Sequence, residues 1–234
     1  MQKLKDPRGV IYTPAYKKYT KCTQIIALLL VLVVAVNCYL YLNSHFAKII
    51  SGSSMQPNLN IEAGQKDIVL VDKYKTIERG DIVIIDVKGL TYFDNRGTKL
   101  IVKRIIALGG DKIKIVYNEQ TQTNEVWLKN STYPNGQKLN EDYINPDDDQ
   151  NTVSIFNQQS NWINGKITKD SDGYITIPDD MVFFLGDNRN VSLDSRYVGP
   201  LHQDRVLGVV DNVVYDNTLW HDIVATLLQF NLDF

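Results

Sequence analysis

The chain has 234 residues, with 25 Lys and Arg against 27 Asp and Glu, for a formal net charge of −2 at pH 7. That length fits one domain of ordinary size, or one domain with a sizeable insertion. A charge so near zero leaves no electrostatic footprint for nucleic acid, which is excluded as a partner.

The first element is a hydrophobic helix. Ile25 to Leu42 reads IIALLLVLVVAVNCYLYL, interrupted only by Asn37. Eighteen residues of helix rise about 27 Å, close to the ~30 Å hydrocarbon core, so a single transmembrane helix is expected over 23–42. Lys3, Lys5, Arg8, Lys17, Lys18 and Lys21 precede it against Asp6 alone. This asymmetry puts segment 1–22 in the cytoplasm and everything after Leu42 outside. Tyr16 and Tyr19 on one side, with Tyr39 and Tyr41 on the other, suit the two interfaces. A cleaved signal peptide is the alternative. Its apolar core would be long, and a cut after Ala47 would put His45 in the upstream pocket. Cys22 and Cys38, the only cysteines, stand roughly 24 Å apart along such a helix, too far to pair within one chain. The polar remainder therefore has neither a disulfide scaffold nor a thiolate metal site, and no cofactor or metal is expected.

After the helix comes S-G-S-S-M-Q-P-N-L, Ser51 to Leu59. Gly52, Ser53 and Ser54 are small residues that let a backbone bend and bring an N–H close to a substrate carbonyl. Pro57 fixes the exit of the turn. Taken alone, the stretch reads equally as an ordinary polar loop. Eleven residues separate Leu42 from Ser54, so even an extended linker keeps that serine within about 40 Å of a bilayer. Phe46, Ile49, Ile50 and Met55 are expected to give it an apolar surround that rests on the membrane.

Short β-branched runs bounded by Gly, Asp and Asn follow. Asp67 to Asp72, Asp81 to Val87 and Leu100 to Leu108 read as strands, then Lys112 to Tyr117, Glu125 to Leu128, Tyr174 to Ile177, Val182 to Leu185 and Val206 to Tyr215. Many short strands with little helical periodicity predict an all-β domain over 43–234. Residues 118–172, rich in Asn, Gln, Asp and Ser, read as a polar insertion between core strands, partly loop. Its run Asp147, Asp148 and Asp149 lacks the spacing and glycine of a calcium loop and reads as a solvated turn. At the end, residues 220–230 place Ile223, Val224, Leu227 and Leu228 at helical spacing. A helix docked on the sheet is expected, with a membrane-surface helix as the alternative.

One strand carries an anomaly. Lys103 lies inside the apolar run L-I-V-K-R-I-I-A-L and shares a face with Ile101 and Ile105, while Val102 and Arg104 face the other way. Either that face is interior and the amine is desolvated, or Lys103 is an edge-strand gatekeeper with a solvated ammonium. The first reading has chemical value. A serine hydroxyl needs a base to take its proton, and none of His45, His202 and His221 has a recognisable catalytic context. A lysine serves only when neutral, which at pH 7 is true of about one ordinary lysine in 2,500. Burial supplies a shift large enough to change that.

The motifs settle between these readings by resemblance. S-G-S-S-M-Q-P-N-L resembles the nucleophile box of the type I signal peptidases, where a serine is followed by Met, any residue, and Pro. R-G-D-I-V (Arg79 to Val83) resembles the strand after it, and V-K-R-I-I-A-L-G-G-D (Val102 to Asp111) the box carrying the general-base lysine. G-D-N-R-N-V-S-L-D-S-R-Y-V-G (Gly186 to Gly199) resembles the family's last box almost position for position. The four boxes stand in order behind the helix. The resemblance implies a mainly β fold, with an N-terminal single transmembrane helix and then an all-β signal-peptidase-like catalytic domain with a β/loop-rich insertion.

The same resemblance implies roles. Ser54, directly before Met55, matches the nucleophile, which sets it above Ser53, and Lys103 matches the base. Gly52, Ser53 and Met55 fall where the oxyanion is held and substrate positioned. Ser192 matches a serine that helps position the lysine, Asp194 and Arg196 a supporting ion pair, and Gly186, Asp187, Asn188 and Arg189 the neighbouring turn. Gly52 stands where some members have a serine that joins the oxyanion hole, so the hole should rest mainly on backbone N–H groups, chiefly that of Ser54. Asn58 replaces a common Thr or Ser, and Ser51 a frequent Pro. Lysine rather than histidine as base marks the bacterial or organellar type.

The implied activity is a membrane-bound serine endopeptidase of the cell membrane that removes N-terminal signal peptides from exported precursors, bound extended along a strand edge. Its partners would be those precursors, the lipid bilayer and, by proximity, the secretion translocon. An acyl-enzyme would form on Ser54, and water activated by Lys103 would complete hydrolysis. Three alternatives share parts of the pattern. Self-cleaving repressors carry a DNA-binding module where this chain has an apolar helix. A processing peptidase dedicated to pilin or conjugation proteins is not separable by sequence. An inactive membrane-anchored scaffold would have no need of a buried amine.

Overall fold

The computed structural model describes residues 14–62, 64–144, 156, 167, 169–216, 218 and 220–224. The chain divides into two compact units, Met1–His45 and Phe46–Phe234. Lys3, Lys5 and Arg8, the three aspartates at 147–149 and the second half of the expected C-terminal helix lie outside the described residues.

The first unit is the helix α1, Pro14–Ser44, 31 residues long. Within it the span Tyr19–Ser44 holds an 18-residue window of mean hydropathy 2.7, none of it buried, so it is long and apolar enough to cross a membrane. Its two asparagine amides are satisfied by the helix itself. The amides of Asn37 and Asn43 donate to Val33 O and Tyr39 O, each at 2.8 Å. An apolar medium demands such internal pairing, because an unsatisfied polar group there costs several kcal/mol.

The second unit is mainly β. Its strands are β1 (His45–Ile49, beginning on the last residue of the first unit), β2 (Ile68–Asp72), β3 (Ile82–Asp86), β4 (Leu100–Leu108), β5 (Lys112–Asn118), β6 (Thr123–Lys129), β7 (Gln137–Lys138), β8 (Ile175–Thr176), β9 (Met181–Leu185), β10 (Leu201–His202) and β11 (Val206–Val214). Among the described residues, the short helices α2 (Thr91–Asp94) and α3 (Ser195–Val198) join them. Seven strands form one sheet in the order β1-β2-β11-β3-β4-β9-β10, and four form another, β7-β6-β5-β8.

The eight strands expected from sequence are all present. The run β1, the two-residue strands β7 and β10 and both short helices were not expected. Within the expected insertion, the strand expected at 125–128 extends over Thr123–Lys129 and pairs with β5 from Lys112↔Lys129 to Asn118↔Thr123. Alternation explains this, since Val126 and Leu128 join Ile113 and Ile115 in the core cluster that also holds Phe183 and Leu185.

Two further clusters lie on opposite faces of the large sheet. Val83, Ile85 and Ile105 belong to one, and Ile84 and Val102 to the other. Each such fully buried side chain stabilises the fold by about 1.5–3 kcal/mol. A strand covered on both faces is where an inserted lysine loses its water.

Of the expected C-terminal helix, residues 220–224 are helical. The contact made there is polar: buried His221 bonds through Nε2 to Lys66 O at 2.7 Å, while Trp220 is 68% exposed and Ile223 44%.

Candidate active site

The turn carrying Ser54 lies between β1 and β2. Gly52 takes φ +113°, which L side chains rarely adopt, with open space where a Cβ would stand; glycine is needed there for backbone geometry alone. Buried Asn60 clamps the turn from below. Its amide donates to Ile50 O at 3.1 Å and Gly52 O at 3.0 Å, and its Oδ1 accepts from Asp67 N–H at 2.8 Å. Asn58 and Leu59 N–H both donate to Met55 O at 3.0 Å.

Met55 itself is 1% exposed and packs with Leu59, Val69, Val71, Ile84 and Val102. It anchors the turn in the core instead of lining a substrate path. The expected apolar surround is corrected by the same burial: Ile50 and Met55 face inward, and only Phe46 and Ile49 remain half-buried. Ser53 is exposed, and its carbonyl accepts Gln56 N–H at 3.2 Å.

Lys103 sits in β4 opposite Val83 of β3. It is 3% exposed, which settles the face it shares with Ile105 as interior. Its Nζ stands 2.7 Å from Ser54 Oγ and donates to Val102 O at 2.7 Å. Burial pushes its pKa down from 10.5 to about 8; Asp194 and then Asp187 pull it back up, and Arg196 pushes it down further. At that value about one molecule in ten carries a neutral amine at pH 7.

The last box wraps the pair from the loop between β9 and α3. Asn188 N–H donates to Ser54 O at 3.1 Å. Gly186 approaches so closely that a Cβ would stand 2.4 Å from Ser54 O and 2.2 Å from Ser192 Oγ. Asp194 and Arg196 are both fully buried and paired, Nε to Oδ1 at 2.8 Å and NH2 to Oδ2 at 2.9 Å. Burial alone would raise the Asp194 carboxyl, but the Arg196 guanidinium and the Gly186 N–H outweigh it and hold the carboxyl below its ordinary range. Arg196 also donates to the carbonyls of Arg189 and Ser192, so the pair fixes the loop's path. The Lys103 amine makes its hydrogen bonds to Ser54 and Val102 rather than to Ser192. Ser192 lies one step away, buried, with its N–H on Asn188 O at 3.1 Å.

Sequence reasoning named Asn58, Asp187 and Arg189 but missed the ring of contacts that joins them to Arg104, Glu141 and Tyr143. Arg104 reaches buried Asp187 with Nε at 2.8 Å and NH2 at 2.6 Å, and donates to Gly80 O at 2.8 Å. The Asn58 amide donates to Asp187 Oδ2 at 2.8 Å and to Tyr143 O at 2.6 Å. Arg189 pairs with Glu141, both largely buried. The available signal was Arg104 itself, inside the box that carries Lys103 and facing away from it, with no pattern in the sequence to name its partner.

Beside Ser54 and Lys103 opens a cleft of about 210 Å³, walled by residues 48–51 and by Thr98 and Leu100–Lys103. β4 pairs with β3 along Leu100–Arg104 but with β9 only from Arg104 onward. Among the described residues, one edge of Leu100–Lys103 is therefore free of strand pairing. Among the described residues no cluster of three or more His, Cys, Asp or Glu has the makings of a metal site.

Residues 20–215 match the family model described as signal peptidase, peptidase S26. A signal peptidase IB of Staphylococcus aureus is 31% identical over 69% of this chain and 73% of its own. A signal peptidase I V of Bacillus subtilis is 28% identical over 70% of this chain and 82% of its own. The solved structure of a signal peptidase I from Enterococcus faecalis is 26% identical, covers 58% of this chain and 97% of its own, and superposes with a TM-score of 0.35.

Proposed function

This chain belongs to the signal peptidase family, peptidase S26, and is a serine peptidase of the bacterial type I kind; on that premise we propose that it removes signal peptides from membrane-tethered precursors, with Ser54 as nucleophile and Lys103 as its base. The observation that carries the reading is the 2.7 Å contact between Ser54 Oγ and an amine sealed from water on an apolar strand.

The chemistry follows from that contact. In the neutral state the Ser54 hydroxyl donates to the lone pair of Nζ, while Nζ–H donates to Val102 O. As Oγ bonds to the scissile carbonyl carbon, its proton passes to Nζ. The oxyanion that forms needs preorganised donors. Among the described residues the Ser54 N–H makes no hydrogen bond, so it is the first candidate. Collapse breaks the C–N bond, and the Lys103 ammonium gives its proton to the leaving amine, the new N-terminus of the mature protein. The signal peptide remains as an ester on Ser54. Water then enters, loses a proton to Nζ and adds to the ester. A second collapse returns the proton to Oγ and frees the signal peptide with a carboxyl terminus.

Val102 O also keeps the amine aimed while its charge changes. Substrate would lie extended in the cleft and pair with the unpaired edge of Leu100–Lys103. α1 would serve as the membrane anchor, with the basic N-terminus in the cytoplasm and the β unit outside, beside the translocon that delivers precursors.

The direct test is cleavage of a membrane-inserted precursor by Ser54→Ala and by Lys103→Ala. Each should lose at least about a thousandfold in rate. Near-normal activity in either would sink the assignment.

A further inference from the structure

A second set of contacts ties the region beyond β6 to this pair. Asn58, four residues after the nucleophile, spends both hydrogens of its amide on different elements: one on Tyr143 O, the other on Asp187 Oδ2. Asp187 is fully buried, and its two oxygens also take the fork of Arg104. Arg104 in turn lies over the ring of Tyr143, 4.2 Å from its centroid. The Tyr143 hydroxyl donates to Glu141 Oε1 at 2.7 Å, and Glu141 pairs with Arg189. Burial, and next the charge of Glu141, push the Tyr143 phenol upward, so it remains a donor wherever the enzyme works.

Arg104 adjoins Lys103, and Asp187 adjoins Asn188, whose N–H holds Ser54 O. The ring therefore touches both partners of the dyad without touching the reacting atoms.

Resting on the dyad reading, we propose that Asn58 and Tyr143 are positioning residues, a clamp through which the polar insertion holds Arg104 on Asp187 and so sets the Lys103–Ser54 contact. The donor count at position 58 is specific. A hydroxyl at position 58 offers one hydrogen and satisfies Tyr143 O or Asp187, whereas an amide satisfies both. A planar guanidinium between a carboxylate and an aromatic face is held in orientation as well as in place.

The clamp also predicts a change in titration. Lys103 is faced by Asp187, Asp194 and Arg196 from the loop and α3, by Ser54 from the turn, and by apolar Val83 from β3; Arg104 is its neighbour on β4. Loosening Arg104 from Asp187 leaves that carboxylate less neutralised, which favours the lysine ammonium.

The test uses the full chain in membranes, with cleavage of an inserted precursor followed across pH for Asn58→Ser, Tyr143→Leu and Tyr143→Phe. Asn58→Ser and Tyr143→Leu should lower kcat about tenfold with KM changed less than about twofold. Their alkaline-rising limb should move up by about half a unit or more. Tyr143→Phe keeps the ring over Arg104 and should restore the limb. Glu141→Gln removes the carboxylate charge opposite buried Arg189 and risks misfolding, so Asn58→Ser carries the decision. The clamp is refuted if kcat falls only with the folded fraction and the limb stays fixed, or if Phe behaves as Leu does. An active Lys103→Ala would overturn the dyad reading itself. An inactive Lys103→Ala beside unchanged Asn58→Ser and Tyr143→Leu would overturn the clamp alone.

Discussion

Lys103 Nζ stands 2.7 Å from Ser54 Oγ, on a lysine side chain whose strand neighbours Val102 and Ile105 are buried in different core clusters. The contact joins residues 49 positions apart. It places a basic group where burial weakens its hold on the proton.

That placement should be costly to the fold. The folded pKa of about 8 lies below the ordinary lysine value of 10.5, so between these values the unfolded chain binds more protons than the folded one, and stability rises with pH across that window. Below pH 8 the penalty is fully present, about 3 kcal/mol. Lys103→Met should therefore abolish cleavage and raise the melting temperature at pH 7, with the advantage shrinking toward pH 10. Thermal melts at both pH values check this, and a variant less stable than wild type at pH 7 would contradict it.

Asp194 and Arg196 should behave in the opposite sense. Removing one charge of a fully buried pair leaves the other uncompensated, which costs about 3–5 kcal/mol. Asp194→Asn should show that loss in urea unfolding at pH 7. Because the Asp194 carboxyl is held below its ordinary range, its contribution is present above the unfolded pKa and lost as pH falls through the folded one. The wild-type and Asn curves should therefore converge in acid.

Gly186→Ala tests the close approach behind Ser54. The added Cβ would stand 2.4 Å from Ser54 O and 2.2 Å from Ser192 Oγ, so the turn must shift. A displacement of about 1 Å at a nucleophile costs up to about a hundredfold in rate. Gly52→Ala meets no atom and strains only the backbone, by about 1–3 kcal/mol. Precursor cleavage and melting curves of the two variants should thus separate: Gly186→Ala loses rate chiefly, Gly52→Ala stability chiefly.

Much of this site could be read from the chain because its signals are local. Gly52, Met55 and Pro57 surround Ser54 within a few residues, and period-two alternation put Lys103 on the same face as Ile105. Asp194 and Arg196 are two positions apart. The clamp could not be read, since Arg104 meets Asp187 across 83 positions and Asn58 meets Tyr143 across 85, and no periodicity encodes such pairings. The strands β7 and β10 are two residues long, too short for alternation to register. Met55 and Ile50 misled for a related reason: an apolar residue in a loop beside a membrane helix reads as surface, and only the packing of β2, β3 and β4 shows that it points inward.

The proposed reaction stands most directly on one titration, the rate of precursor cleavage by the wild-type enzyme from pH 6 to pH 10. A base that works only when neutral predicts a rate that climbs with pH and levels off, with an apparent pKa of about 8, the value to which burial pushes Lys103. A profile flat across that range, or one that rises only near 10.5 as a solvated lysine would, contradicts a buried Lys103 as the base for Ser54.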